Sequence, residues 1–285
     1  VDLSCVVLND LHPHAFADTA RTAEEAGVRT VFSYDHLSWR DLRDGPWFAA
    51  VPLLAAAALA TERVRLGTLV ASPNYRHPVT FAAEVMTLDQ LSGGRVELGV
   101  GAGTSAHDAS VLGVPPLTPR ERQDRFEEWT TLLRTLLSQR VTDVAGEHYT
   151  AHDARNLPGP VAGRVPFTVA AAGPRGMRFA ARLREGWVTY GEGEPRPGDG
   201  VEEAVARFTA PLERFAALPG AGEVRKVALL GLDERGAYAD WPRFAGALAE
   251  AGYDEVCVHW PRPDGRGLPS GTLAGVLRTR ELTTG

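Results

Sequence analysis

Apolar positions in this chain follow two alternating rhythms. Short runs rich in Val and Leu lie at residues 3–8, 28–33, 64–70, 95–100, 165–171, 186–190, 224–232 and 255–260. Each is compact and mostly apolar, the pattern of a parallel strand covered on both faces. Between them the spacing turns helical. Phe16, Ala20, Ala23 and Ala26 share one face, and Gly27 closes that helix. Residues 47–61 are apolar almost all round, which predicts a buried helix. Pro78 suits a first helical turn; Phe81, Val85 and Leu88 follow on one face, and Gly93 ends it. Thr118-Pro-Arg-Glu121 spells a capping box for a helix through about residue 138. Further helices are expected at 174–184, 201–218, 241–251 and 271–281.

Eight strands alternating with helices predict an α/β fold, a single (β/α)8 TIM barrel over residues 1–285. An insertion follows strand 4. An irregular excursion at 141–164 precedes strand 5, with a small hairpin expected near His148-Tyr149. An open doubly wound sheet is the alternative, and the count of eight favours closure. In a closed barrel, functional groups stand at the carboxyl ends of strands. That rule selects Asn9 and Asp10, Asp35 and His36, residues 68–74, 101–108 and 171–176, then 191–193 and His259-Trp260.

Charge and composition remove several classes of function. The net charge is −6, with no basic run or aromatic-basic stripe, so nucleic acid and anionic membrane are not expected partners. The longest apolar run, 47–60, is too short to span a bilayer and carries Pro52. No secretory leader is visible at the start. Cys5 and Cys257 sit inside expected strands and read as reduced, buried thiols of a cytoplasmic protein. A small-molecule substrate is expected, no metal is, and a homodimer is left open.

Three strand exits carry the candidate chemistry. Asp35-His36 follows the second strand, and a histidine there can exchange a proton near neutral pH; a capping Asp beside a packed His is the bland reading. Gly67-Thr-Leu-Val-Ala-Ser-Pro-Asn74 and Gly99-Val-Gly-Ala-Gly-Thr104 end the third and fourth strands in small residues. The second of these is not a dinucleotide fingerprint, because Thr104 stands where the third glycine is needed. Ala171-Ala-Gly-Pro-Arg-Gly176 joins a strand to a helix start, whose backbone N–H groups suit a phosphate or form only a tight corner.

These motifs, with Ser33-Tyr-Asp-His-Leu37, resemble the luciferase-like monooxygenase superfamily, which includes flavin- and deazaflavin F420-dependent oxidoreductases. The resemblance spans nearly the whole chain. It implies coenzyme F420, with FMN as the alternative cofactor. It implies hydride transfer to or from a small organic substrate, with His36 handling a proton and Asp35 near the deazaflavin ring. The alternatives are an FMN-dependent monooxygenase using reduced flavin and oxygen, and a barrel that only binds flavin. Thr68, Leu69 and Val70 would back the ring through a bulge with a cis Leu69–Val70 bond. Gly101 and Gly103 would let backbone reach the cofactor. Ala171, Ala172, Gly173, Pro174, Arg175 and Gly176 would hold its phosphate, with Gly173 in a conformation reserved for glycine.

Thr104 departs from relatives that carry a catalytic glutamate there, which counts against a sugar-phosphate dehydrogenase of that kind. Asp108 fills a position often acidic in relatives, with His107 beside it; a solvated loop is the expectation, with a contribution of either residue to the site as the alternative. Most of the charges of Arg122-Gln-Asp-Arg-Phe-Glu-Glu128 are expected to be solvated or paired along their helix, with Arg122 or Arg125 as a fallback for the cofactor tail. Trp39, Trp47 and Trp260 are candidates for an apolar wall.

Overall fold

The computed structural model describes residues 1–103, 107–196, 198–262, 266–268 and 273. Apart from residue 273, the expected final helix at 271–281 falls outside them, as does the Thr104 position. The strands are β1 (Asp2–Val6), β2 (Thr30–Ser33), β3 (Arg65–Thr68), β4 (Leu98–Gly101), the pair β5 (Val141–Ala145) and β6 (Thr150–Arg155), then β7 (Phe167–Ala170), β8 (Gly186–Thr189), β9 (Arg225–Leu229) and β10 (Glu255–His259). The helices are α1 (Pro13–Glu25), α2 (Ala50–Ala60), α3 (Pro78–Ser92), α4 (His107–Val111), α5 (Pro119–Ser138), α6 (Pro174–Leu183), α7 (Val201–Ala216), α8 (Arg235–Ala239) and α9 (Trp241–Ala251).

Eight strands form one sheet in the order β3-β2-β1-β10-β9-β8-β7-β4. Parallel bridges Leu66↔Val96 and Ala71↔Val100 then join the two ends of that order. The hydrogen-bonded order is therefore a ring, the (β/α)8 barrel, with sequence neighbours adjacent once β5 and β6 are set aside. Those two strands form a separate antiparallel hairpin around His148-Tyr149, where the excursion was expected. Helix starts follow the chain's own signals. Thr118 and Glu121 make the reciprocal capping box of α5, and Gly93 closes α3 in the left-handed region at φ 67°.

By internal packing the chain divides into two units. One comprises residues 1–8, 19–32 and 168–285. Its interior stacks Trp187 on Phe215 at 4.1 Å, and the hydroxyl of Tyr253 donates to the Phe208 carbonyl. At the amino ends of its strands, fully buried Glu255 accepts from Arg29 and Arg225; these two also reach Thr30 and Thr168. Cys5 and Cys257 are buried and unbridged, and burial pushes the Cys5 thiol up.

The other unit comprises residues 9–18 and 33–167. Here Arg95 ties the ends of two helices together. Its guanidinium donates to the carbonyls of Ala58, Thr61, Val64 and Ser92, satisfying carbonyls left open where α2 and α3 end. Helix α2 corrects the sequence reading. It buries Leu53, Leu54, Ala57 and Ala58 but leaves Leu59 74% exposed, so it packs on one side only. Its uniform apolarity hid which face is covered.

Candidate active site

The residues after β2 and β3 converge within the second unit. The chain turns out of β2 at Ser33-Tyr34, held by the buried side chain of Asn9. The Asn9 Oδ1 accepts from the Ser33 hydroxyl at 3.0 Å and the Tyr34 N–H at 3.2 Å, while its Nδ2 donates to the Phe48 carbonyl. Asn9 is thereby fully committed to shaping this turn. Asp35 and His36 come next, and they face different partners.

Asp35 is 1% exposed. Both its oxygens accept from Arg76, from Nε at 3.1 Å and Nη2 at 2.8 Å, a bidentate fork. The third guanidinium nitrogen of Arg76 donates to Glu84 on α3 at 2.7 Å. Burial pushes the hydroxyl of neighbouring Tyr75 up, and the Asp35 carboxylate adds to it. Asp35 is thus a buried, charge-compensated anchor. Arg76 lies two residues beyond the Gly67–Asn74 run, and nothing in its sequence context marks it as this partner, 41 positions from Asp35.

His36 meets Asp108. Its Nδ1 lies 2.8 Å from Asp108 Oδ2, while Asp108 Oδ1 accepts the Leu37 N–H at 2.8 Å. The Asp108 side chain is fully buried, so the solvated-loop expectation is wrong. The short helix α4 carries this carboxylate into the turn, a contact 72 positions long. The imidazole remains 11% exposed, with the ring of Trp39 at 4.6 Å and that of Tyr34 edge-on at 6.2 Å. Trp47 Nε1 donates to the His36 carbonyl at 2.9 Å. Trp39 and Trp47 therefore flank His36, while Trp260 is buried in the other unit.

The peptide bond Leu69–Val70 is cis, as the resemblance implies. It follows directly on Thr68, whose hydroxyl donates to the Gly99 carbonyl at 2.8 Å. The Leu69 N–H donates to the Ser33 carbonyl, and pairing with β4 resumes through Ala71 to Gly99 and Gly101. Gly103 adopts φ 69°, and a Cβ there would fall 2.3 Å from the Asn74 amide nitrogen. A larger residue there would be strained by the left-handed backbone and would have to displace the Asn74 side chain. Asn74 in turn accepts from Arg125 at 3.3 Å.

On the helix of Arg125 the charges include an i,i+4 pair, Arg120 with Asp124, as expected for most of them, and Glu128 is the exception. Glu128 is neither solvated nor paired along its helix. Its carboxylate accepts the N–H groups of Glu147, His148 and Tyr149 at 2.7–3.2 Å, pinning the hairpin turn to α5. Arg122 donates to the Leu117 carbonyl.

Residues 171–176 lie in the first unit, after β7. Ala172, Gly173, Pro174 and Arg175 are exposed, and Gly173 caps α6 without a side chain. The Gly173 φ is −84°, and no heavy atom stands within 4 Å of a Cβ built there. This corrects the expectation of a glycine-only backbone. The apo loop would accept a side chain, and only a bound group above it would object. Gly191 and Gly193, after β8, do take positive φ.

The sequence matches the family described as luciferase-like monooxygenase over residues 6–230. An F420-dependent glucose-6-phosphate dehydrogenase from Beutenbergia cavernae is 40% identical over 198 residues, 68% of this chain and 58% of that protein. The match thus spans less than two thirds of that relative's length. Among solved structures, an F420-dependent secondary alcohol dehydrogenase in complex with an F420-acetone adduct superposes with TM-score 0.75 at 17% identity, covering 98% of this chain and 97% of that one. The coenzyme F420 dependent tetrahydromethanopterin reductase from Methanopyrus kandleri gives 0.70 at 18% identity, covering 99% and 98%.

Proposed function

Because the chain belongs to the luciferase-like monooxygenase family, we propose that it is an F420-dependent oxidoreductase acting on a small organic substrate, with His36 as its proton-handling residue. The observation that carries this reading is the buried constellation after β2: His36 on Asp108, beside Asp35 in the Arg76 fork. The F420 assignment draws on the names of the relative and the two solved structures described above.

Each unit, taken by itself, holds residues that fit a part of such a cofactor. Gly173 opens α6 on an exposed loop with no described heavy atom within 4 Å of a Cβ built there, so the first-turn N–H groups of the helix can meet a phosphate. Ala171, Ala172, Pro174, Arg175 and Gly176 complete that cradle. The backbone of Thr68, Leu69 and Val70, with Gly101 and Gly103, supplies small-residue surface on which a flat ring can rest. When bound, F420 supplies a carbon that carries hydride and reacts little with oxygen.

The protein's own groups divide the remaining work. Arg76 holds the Asp35 side chain in one orientation, keeping the backbone of the 35–36 turn fixed. Trp39 and Tyr34 cover the imidazole and limit water around it. His36 then gives or takes the proton that the substrate's oxygen or nitrogen exchanges as hydride moves.

Turnover under air with an oxygen electrode tests the reaction class. A panel of alcohols and aldehydes should change the F420 absorbance with no matching oxygen uptake. Oxygen consumed in step with substrate would instead assign the site to monooxygenation with reduced flavin.

A further inference from the structure

We propose that Asp108 is the positioning residue for His36: it keeps the imidazole proton on Nδ1 and so leaves Nε2 as the atom that accepts or returns the substrate's proton. The inference rests on the proton-handling reading of His36 and adds what sets the state of that ring.

The geometry is specific. One oxygen of Asp108 takes the ring nitrogen and the other takes the next backbone N–H, both at 2.8 Å. The carboxylate is thereby docked on the side chain and the main chain of one turn at once. A carboxylate is acceptor only, so the ring nitrogen facing it must donate. The side chain of Asp108 is fully buried, so water does not compete for either oxygen. The backbone of His36 is fixed independently through the Trp47 indole, and Trp39 and Tyr34 bound the ring. Among the described residues, the neighbouring charges are already committed. Asp35 is matched by Arg76, and burial together with the Asp35 and Asp108 carboxylates pushes the Tyr75 hydroxyl up, leaving it a neutral phenol. Asp108 is therefore the charged group that sets which nitrogen of His36 carries its proton.

Asp108→Asn separates this role from packing. The amide keeps the shape and can still accept the Leu37 N–H, but it offers its own N–H to Nδ1. The His36 proton must then move to Nε2. Long-range ¹⁵N–¹H NMR on histidine-labelled protein without cofactor reads this directly. The wild type should show the Nδ1–H tautomer and Asp108→Asn the Nε2–H tautomer, while Asp108→Glu, which keeps an acceptor, should retain Nδ1–H. Turnover of Asp108→Asn should fall about 10²-fold, the low end of what a proton-transfer group contributes, with KM little changed. An Nε2–H tautomer in the wild type overturns the inference even if the Asn variant fails to fold. So does an unmoved tautomer in the folded Asn variant. Full turnover in His36→Ala alongside a tautomer that does move in Asp108→Asn removes the proton-handling reading, and the positioning role with it.

Discussion

Replacing His36 by alanine is expected to lower turnover by about 10²–10⁴ while cofactor affinity stays within a few-fold. The imidazole is the one ring of this turn that combines a buried carboxylate partner with partial exposure. Removing it deletes the proton-exchange group and leaves the backbone fixed, because Asp108 keeps the Leu37 N–H and Asn9 keeps the Ser33-Tyr34 turn. Steady-state kinetics beside a fluorescence titration separate the two effects, and added imidazole should restore part of the rate. Unchanged turnover in a folded variant would reduce His36 to packing.

Glu255→Gln is expected to cost about 2–4 kcal/mol of stability, because breaking a buried ion pair strands the charges that remain. Glu255 is fully buried at the start of β10, and Arg29 and Arg225 both donate to it. With the carboxylate gone, two guanidiniums face a neutral amide that matches its volume, so the loss reports charge rather than a cavity. The arginines keep 27% and 24% exposure, which places the cost toward the lower part of what buried pairs show. Thermal unfolding should reveal a midpoint several degrees lower. Cofactor affinity should be little affected, since the cluster lies at the amino ends of its strands and the candidate phosphate loop follows the carboxyl end of β7. An unchanged midpoint would mean the cluster adds nothing net.

The local rhythm of the chain carried most of the fold. Strand and helix alternation, the Thr118–Glu121 capping box, the Gly93 stop and the hairpin at His148-Tyr149 are all short-range signals, and each appears in the structure. Long-range pairing was not legible. Arg76 reaches Asp35 across 41 positions and Asp108 reaches His36 across 72, and nothing in a run of residues marks such partners. For the same reason Asp108 and Glu128 read as surface charges, although one is fully buried and the other pins a hairpin. Uniform apolarity concealed the exposed side of α2. Gly173 misled in the opposite direction, since its φ of −84° suits any residue.

The central claim, a deazaflavin enzyme built on the His36–Asp108 pair, is tested most directly by titrating the purified protein with F420 and, separately, with FMN under fluorescence detection. F420 should bind with the lower Kd, and by a margin outside the error of the two fits. Tight FMN binding with no measurable affinity for F420 would contradict it.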